Sequence, residues 1–490
     1  MASETLIWLA LALPTAAAVG IWLAGRIPNL REAVTLAAAA ALFASVMQLL
    51  ERVLDGARPG VTALEMFGGF EIAFAIEPLG MLFASVAATL WIVNSVYSIG
   101  YMRGNDEPRQ TPFYVCFAIA IASAMGVAFA ANLVTLFLFY EILTLSTYPL
   151  VTHKGNAEAK AKGRVYLLLL LGTSMGFLLP AIIWTAIAAG TTTFAPGGIL
   201  AGAGLSAGLL TLLVGLYVFG IGKAAVMPVH SWLPAAMVAP TPVSALLHAV
   251  AVVKAGVFTV VKVFVYIFGI DLLRETGASQ WVVYVAGATV VIASLVALTH
   301  DNLKKRLAFS TVSQLSYVVM AAAVATPAAV IGAILHIAAH AASKITLFFA
   351  AGSLHTAAHL DWISQLDGAG RRMPFTMGAF AVGALAMIGL PPTATFLSKW
   401  FMLQGDVLAG QWVAAGVIAL STGLNAAYFL PIVHRAFWRA PPKATAEHPA
   451  HGEANAPIVL ALTATALGTI ALFAYPDVVH ALAEAVIARS

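Results

Sequence analysis

Charged residues and cysteine are scarce in this 490-residue chain. Asp, Glu, Lys and Arg make up 9% of the sequence and hydrophobic residues 61%, whereas soluble domains carry roughly 25% charged residues. Because a single core of this length cannot hide so much apolar surface from water, the composition excludes a soluble enzyme, a disordered scaffold and a nucleic-acid-binding protein. The single cysteine, Cys116, excludes a disulfide framework and a cysteine metal cage.

Long apolar runs occupy most of the chain. A membrane-spanning helix needs about 20 mostly apolar residues. The candidate runs cover residues 5–25, 33–50, 77–100, 112–130, 132–151, 165–189, 205–228, 243–268, 281–299, 307–324, 327–354, 374–405, 408–430 and 457–475. We therefore predict an all-α polytopic membrane protein with about 14 transmembrane helices and no soluble domain. The first run continues directly into the second, so we expect a retained span rather than a cleavable signal peptide.

Polar residues are concentrated in a few segments. The run 307–324 is the most polar of the candidate spans, and 51–75 and 434–456 are the longest polar segments between runs. The segment 434–456 contains Pro441, Pro442, His448 and His451. This composition predicts a flexible loop there.

Lysine and arginine are unevenly distributed between the loops. Sixteen of them follow odd-numbered spans, whereas three, Arg52, Arg58 and Arg274, follow even-numbered spans. Cytoplasmic loops carry the excess of positive charge in membrane proteins. The odd-numbered loops are therefore predicted to be cytoplasmic, and both termini are predicted to face outward.

Several ionisable residues lie inside the apolar runs. The one deep acid is Glu141, and the five lysines are Lys223, Lys254, Lys262, Lys344 and Lys399. A lysine at mid-bilayer costs about 2.5–3.5 kcal/mol on insertion scales. Residues of this kind usually line an ion or proton path, and the central position of Lys254 favours that interpretation.

Four ionisable groups of the apolar runs have a structural interpretation as well. Lys262 lies near the end of its span, where snorkelling to the interface is as good an explanation as function. Glu77 stands at the start of the third span and is expected to act at the helix N-terminus. Glu141 and Lys223 are predicted to pair, and a static ion pair between two helices is the alternative to a functional one.

The eleventh span carries His336, His340 and Lys344. A spacing of four residues places all three on one helix face, and imidazole titrates near neutral pH, which suits a proton relay. A metal site is the rival, but no carboxylate or cysteine accompanies the histidines, and Lys344 would repel a cation. A haem would need a further ligand, for which His248 is the mid-span candidate. The polar stripe of the tenth span, Ser310, Ser313, Gln314 and Tyr317, either hydrogen-bonds these groups and water or joins helices.

Two spans are predicted to be broken. Pro228, Pro234, Pro240 and Pro242 follow the seventh run, and the twelfth contains Gly389-Leu-Pro-Pro. Proline breaks helices, and broken spans at matching places in two halves mark the path of inverted-repeat transporters. The predicted divisions are N-terminal helices 1–3 (1–111), a first five-helix repeat (112–268), a second, inverted repeat (269–433), and a loop with helix 14 (434–490). Lys223 and Lys399 then lie on the broken helices.

The sequence resembles a known family at several motifs. The most extensive runs from His230-Ser-Trp-Leu-Pro through Ala245-Leu-Leu-His248 to Lys254-Ala-Gly. The others are Tyr97-Ser-Ile-Gly-Tyr-Met, the histidines and lysine of the eleventh span, and Gly389-Leu-Pro-Pro followed by Phe396-Leu-Ser-Lys399. Together they are similar to the proton-conducting antiporter-like membrane subunits of Mrp-type cation/proton antiporters, respiratory complex I and membrane-bound hydrogenases.

The resemblance implies a fold and a set of site residues. The expected fold is fourteen helices with two inverted five-helix repeats and broken helices 7 and 12. The residues that match the family's proton path are Glu141, Lys223, Lys254, His336, His340, Lys344 and Lys399. Withdrawal of the Glu141 carboxylate is expected to favour loss of the Lys223 proton, which then moves through the central groups toward Lys399. No cofactor or metal is expected.

The resemblance also implies a setting for the chain. The amino-acid sequence of residues 230–254 is most similar to the corresponding sequence in the D subunit of an Mrp-type antiporter. A pumping subunit of complex I or a membrane-bound hydrogenase is the first alternative, and a DabB-type membrane subunit of an inorganic-carbon transporter is the second. We expect a secondary transporter subunit, not an enzyme, in a bacterial inner membrane, with other membrane subunits, protons and monovalent cations as its partners.

Overall fold

The computed structural model describes residues 1–66, 70–441 and 452–488, and these residues are almost entirely helical. The N-terminal part contains α1 (Ser3–Leu23), α2 (Pro28–Leu54), the strands β1 (Gly60–Glu65) and β2 (Glu71–Ala75), and α3 (Pro78–Gly104). The next part contains α4 (Gln110–Phe129), α5 (Leu133–Val151), α6 (Ala157–Thr173), α7 (Leu179–Ala189), α8 (Ala207–Gly220), α9 (Trp232–Ala235), α10 (Thr241–Ala245), α11 (Val252–Val263) and α12 (Ile270–Thr276). The last part contains α13 (Gln280–Thr299), α14 (Leu303–Val324), α15 (Pro327–Ala358), α16 (Ala369–Arg372), α17 (Pro374–Ile388), α18 (Ala394–Leu408), α19 (Trp412–Trp438), α20 (Ala456–Ala474) and α21 (Asp477–Ile487).

The helices confirm the prediction of an all-α polytopic membrane protein. In the described ranges, 12 helical segments are long and apolar enough to cross a membrane, and α8 and α17 are shorter apolar helices. Two of the long segments, 157–189 and 241–268, contain π-helical turns between their α-helical parts. The total of fourteen spans, the inverted repeat and the four divisions of the chain remain predictions.

The most polar predicted span is also the most informative about the interior. The run 307–324 lies within α14, and 94% of the most apolar 18-residue stretch of that helix is buried inside the protein. Its serines and Gln314 therefore face other helices and not lipid. Buried polar groups need hydrogen-bond partners, so this helix brings a hydrogen-bonding surface into the centre of the molecule.

The two long polar segments contain ordered structure that was not predicted from the sequence. Within 51–75 the chain forms an antiparallel hairpin, in which Gly60 pairs with Ala75 and Glu65 with Glu71. The prediction of a loop from residue 434 is wrong at its start, because α19 continues to Trp438. The rest of that predicted loop, with Pro442, His448 and His451, falls largely at 442–451, outside the described residues.

Both predicted helix breaks are present. Helix α8 ends at Gly220, a short 3₁₀ turn follows at Gly222–Ala224, and Ala225 has a left-handed φ of 56°. Helix α17 ends at Ile388, Gly389 has φ 89°, and α18 begins only at Ala394. Each break exposes backbone carbonyls inside the protein, because the chain no longer supplies their helical partners.

The first break lies directly against α11. A Cβ atom at Gly256 would lie 2.4 Å from the backbone nitrogen of Ala224 and 2.4 Å from the carbonyl carbon of Lys223. No other residue type fits there without displacing backbone. The glycine therefore holds the turn that carries Lys223 against the helix that carries Lys254.

We predict that Gly256→Ala destabilises the protein by about 1–3 kcal/mol, because the added methyl group forces two backbones apart. The change is measured by unfolding both proteins in detergent with heat or with a denaturant. Gly416→Ala is the matched control: Gly416 lies in α19, and a Cβ atom there meets nothing within 4 Å. Equal stability of the two variants would contradict the prediction.

Candidate functional site

Lys223 is enclosed at the first helix break. Its ammonium group donates to the backbone carbonyl of Tyr140 at 2.8 Å and to the hydroxyl of Thr144 at 2.6 Å. It also lies 3.1 Å from the centre of the Tyr140 ring. The residue is fully buried. Lys223 is therefore held by neutral acceptors and an aromatic face on α5.

Glu141 does not make the predicted direct ion pair with Lys223. Among the described residues no ion pair within 4.0 Å joins the two, and both carboxylate oxygens of Glu141 are buried without a hydrogen-bond partner. The ion pair is absent because the ammonium group of Lys223 instead donates to the carbonyl of Tyr140 and the hydroxyl of Thr144. Glu141 nevertheless follows Tyr140 on the same helical turn, so the two ionisable groups are near neighbours.

Lys254 meets the histidine pair of α15. Its Nζ lies 2.6 Å from Nδ1 of His340, and the rings of His340 and His336 stack with centroids 5.8 Å apart. The expected common face of the two histidines is confirmed. At 2.6 Å one nitrogen must donate and the other accept, so the lysine and the imidazole share a single proton between the two facing atoms.

A chain of polar side chains begins at Lys344. Its Nζ donates to Ser310 Oγ at 2.9 Å, and the hydroxyl oxygen of Tyr428 lies 3.3 Å from the same atom. Tyr428 also hydrogen-bonds the side-chain oxygen of Asn425, which accepts from Nε2 of Gln314 at 3.3 Å. Ser310 and Gln314, two members of the stripe predicted on the tenth span, thus hydrogen-bond candidate path residues and also residues of other helices.

The chain continues from Gln314 to α18. Oε1 of Gln314 lies 3.0 Å from Nε2 of His336, and Nδ1 of His336 lies 2.8 Å from Ser398 Oγ. Since the amide oxygen can only accept, Nε2 carries a proton in this arrangement. Ser398 can donate to Nδ1 or accept from it. His336 can therefore hold or release a second proton without losing either contact.

Lys399 lies at the second helix break, beside Ser398. Its Nζ donates to the carbonyls of Met387 at 3.0 Å and Ile388 at 2.9 Å, which are the last residues of α17. It lies 5.1 Å from the centre of the Tyr317 ring. The negative end of a helix dipole favours a cation, so the break supplies the environment that tolerates this buried lysine.

Lys262 is paired and does not snorkel. The residue is buried, and its Nζ lies 3.1 Å from Oε1 of Glu77 and donates to the carbonyl of Ala130 at 2.9 Å. Glu77 in turn accepts from the backbone nitrogens of Leu79 and Gly80, which confirms its expected position at the N-terminus of α3. The snorkelling alternative is wrong because an acid distant in sequence lies within reach inside the protein.

Sequence reasoning missed three members of the central chain. Ser398, Asn425 and Tyr428 are buried and hydrogen-bonded there. The spacing of Asn425 and Tyr428 by three residues in an apolar run was the available signal. His248, considered as a further ligand, packs against Phe348 with ring centroids 4.6 Å apart, and neither of its nitrogens has a hydrogen-bond partner.

A polar cavity of about 700 Å³ opens on the side of the odd-numbered loops. Its lining includes Glu107, Lys154, Lys304, His355 and Asp361. Burial raises the pKa of the Glu107 carboxyl, against the opposing charges of Lys154, His355 and Lys304. Burial would raise the pKa of Asp361 too, but the hydrogen bond and charge of His355, with Lys304, lower it. Two carboxyl groups of the cavity lining, those of Glu107 and Asp361, therefore have pKa values shifted in opposite directions.

Comparison with known proteins gives a consistent result. Residues 130–425 match the family described as NADH:quinone oxidoreductase/Mrp antiporter, transmembrane. The chain is 31% identical over 431 residues to NADH-quinone oxidoreductase subunit N of Desulforudis audaxviator, covering 86% of this chain and 84% of that protein. It is 30% identical over 440 residues to hydrogenase-4 component B of Escherichia coli, covering 83% of this chain and 64% of that protein.

Some matched relatives are longer. The chain is 32% identical over 385 residues to the chloroplastic NAD(P)H-quinone oxidoreductase subunit 5 of Adiantum capillus-veneris, which covers 74% of this chain. The match spans 50% of that relative's length. The activity and partners of the longer proteins are therefore not transferred by the match itself.

Two solved structures share the fold. A chain of the Mrp complex from Dietzia sp. superposes with a TM-score of 0.89 and 21% identity, covering 100% of this chain and 97% of that one. A chain of the membrane-bound sulfane sulfur reductase, an archaeal respiratory membrane complex, superposes with a TM-score of 0.86 and 22% identity, covering 98% and 97%. Both likenesses concern the fold alone.

The Glu77–Lys262 pair predicts a pattern of stability changes. Glu77→Gln leaves the buried Lys262 charge without its partner and should destabilise the protein by about 3–5 kcal/mol. Glu77→Gln combined with Lys262→Met removes both charges, and we expect it to recover most of that loss. Thermal unfolding of the three proteins in detergent measures the effect. A double variant no more stable than Glu77→Gln would show that the pair does not account for the burial of Lys262.

Proposed function

Because this chain belongs to the NADH:quinone oxidoreductase/Mrp antiporter transmembrane family, we propose that it is the proton-translocating subunit of a multisubunit monovalent cation (Na⁺)/proton antiporter. Protons move through its interior along Glu141, Lys223, Lys254, His336, His340, Lys344 and Lys399. The subunit works with other membrane subunits in a bacterial inner membrane, with both termini outward. It is a secondary transporter subunit and not itself an enzyme.

The observation that carries the proposal is the connected set of ionisable side chains in the buried centre. Lys254 contacts His340, His340 stacks on His336, and His336 is hydrogen-bonded to Ser398, the neighbour of Lys399. Lysines buried without carboxylate partners are costly. A row of them linked through imidazoles and hydroxyls is well suited to passing a proton from one group to the next.

The Lys254–His340 contact makes the row responsive to charge. Protonating both groups would place two positive charges 2.6 Å apart, which is strongly unfavourable in a low-dielectric interior. A proton arriving at one of them therefore displaces a proton from the other. His336, which stacks on His340, can pass a proton on because both of its ring nitrogens already have hydrogen-bond partners.

Glu141 is proposed to set the charge of Lys223. A nearby carboxylate favours the ammonium form of a lysine. In this structure the carboxylate makes no hydrogen bond, and Lys223 contacts neutral acceptors. We assign this arrangement to the separated state of the pair. Rotation of Glu141 toward Lys223 would give the paired state, and alternation between the two would couple Lys223 to its neighbours.

A redox-driven proton pump is the second candidate. It is favoured by relatives whose names are NADH-quinone oxidoreductase subunit N and hydrogenase-4 component B. The same row of residues would serve in either setting, since only the source of energy differs. A membrane subunit of a DabB-type inorganic-carbon transporter is the further alternative implied by the sequence resemblance.

The intact complex in sealed membrane vesicles distinguishes these candidates. For the antiporter we expect sodium addition to collapse an imposed pH gradient without any electron donor. For the pump, a pH gradient should form only when a reductant and a quinone or proton acceptor are supplied. Sodium-independent proton movement driven by electron transfer would overturn the antiporter proposal.

Substitutions in the path should stop transport while the complex still assembles. Lys223→Ala and Glu141→Gln should behave alike, and each should lower proton transport by roughly a hundredfold, the scale of a lost proton-transfer group. Transport is measured with a pH-sensitive dye in vesicles, and assembly by co-purification of the other subunits.

Thr469→Val is the control for these variants. Thr469 is a buried hydroxyl on α20 that hydrogen-bonds only its own helix, at the carbonyl of Thr465. We expect it to transport normally. If Glu141→Gln is as active as this control, the carboxylate has no part in the path. If Lys223→Ala is also active, the proposed path is wrong.

A further inference from the structure

Asp406 is a buried carboxylate that the path described above does not use. It lies on α18, has no exposed surface, and neither of its side-chain oxygens has a hydrogen-bond partner. An ionised carboxylate is costly in such a position. The group therefore holds a proton while it is enclosed and releases it when water reaches it.

Asp406 and Lys399 share one face of α18. They are separated by seven residues, which is close to two helical turns, or about 10 Å along the axis. Ser398, Met402 and Gly405 belong to the same buried face. The face packs tightly on α15: a Cβ atom at Gly332 would lie 2.6 Å from the backbone nitrogen of Met402.

The contact with α15 continues to the position of Asp406. A Cβ atom at Gly405 would lie 2.3 Å from the backbone nitrogen of Ala329, and Thr326 donates to the carbonyl of Gly405 at 3.3 Å. Backbone packing therefore closes the α15 side of α18 from Lys399 to Asp406. Met402 lies between the two ionisable groups on this buried face, and an unbranched methionine side chain is flexible.

A cavity of about 660 Å³, lined by both apolar and polar residues, lies close to Asp406. Its lining includes Thr326, Pro327, Leu408 and Gln411, so it flanks Asp406 both along α18 and across on α15. The backbone nitrogen of Gln411 donates to the backbone carbonyl of Asp406 at 2.8 Å. Arg274, in an even-numbered loop, is also in the lining, which places this cavity on the predicted outward side.

We propose that Asp406 is the group through which protons pass from Lys399 to the outward cavity. When water of the cavity reaches the Asp406 carboxylic acid, the acid gives its proton to that water and becomes a carboxylate. When water enters the interval at Met402, the Lys399 ammonium gives its proton through that water to the carboxylate, which leaves a neutral amine and restores the acid. This inference rests on the proposed function, because it extends the same path by one step.

Asp406→Asn tests the inference, because it keeps the shape of the side chain and removes its ionisation. In vesicles containing the intact complex we expect proton transport to fall by roughly a hundredfold, and Asp406→Glu to retain most of it. Thr469→Val is again the control, because its buried hydroxyl bonds the carbonyl of Thr465 in its own helix, and it should leave transport close to that of the unaltered complex. Full transport by Asp406→Asn would overturn the inference.

Lys399→Ala, measured in parallel, separates the two proposals. If it stops transport while Asp406→Asn does not, the inference about Asp406 is wrong and the path stands. If neither variant affects transport, the path itself is wrong. Should Asp406→Asn fail to assemble, infrared difference spectra of the unaltered and Asp406→Glu complexes decide. In the unaltered complex, proton flux should change the intensity of a carboxylic-acid C=O band. In Asp406→Glu the same band should appear at a different frequency. The absence of such a band overturns the inference.

Discussion

An ammonium group enclosed by protein must find acceptors, because no bulk water can solvate it. The arrangement of the centre follows from this constraint. Lys399 binds the last carbonyls of α17, Lys262 binds the carbonyl of Ala130 just beyond α4, and Lys223 binds a carbonyl of α5. Helix ends and breaks are the places where free carbonyls occur. A helix break thus supplies the acceptors of Lys399 and a helix end that of Lys262, whereas Lys223 depends on a carbonyl within the uninterrupted α5.

The buried lysines fall into two physical kinds. Lys262 has a carboxylate partner and a carbonyl acceptor, and the partner also terminates a helix. The carboxylate favours the charged form of such a group. Lys254 and Lys344 contact neutral side chains, an imidazole and a serine hydroxyl. Because no opposite charge among the described residues contacts them, Lys254 and Lys344 suit the proposed proton path, whereas Lys262 suits a structural role.

Local composition was enough to predict the membrane class, the helix breaks and the common face of His336 and His340, since each depends on residues adjacent in the chain. It was not enough for contacts between distant segments. The snorkelling alternative for Lys262 ignored Glu77, and the Glu141–Lys223 pair ignored the competing carbonyl of Tyr140. The hairpin at Gly60–Ala75 was missed because residues distant in sequence help to hold it: Asn132, just before α5, and Thr135, within α5, hydrogen-bond β2. Asn425 and Tyr428 were hidden in an apolar run.

The close fit at Gly256 has a consequence for how the two halves of the centre communicate. Since its backbone touches the Lys223 turn, a shift of that turn must push α11 and with it the Lys254–His340 contact. The two lysines are then joined by backbone packing as well as by their electric fields, and salt screens the fields little because both lysines are buried. Among near relatives, a bulkier residue at position 256 would identify lineages in which this linkage has been uncoupled.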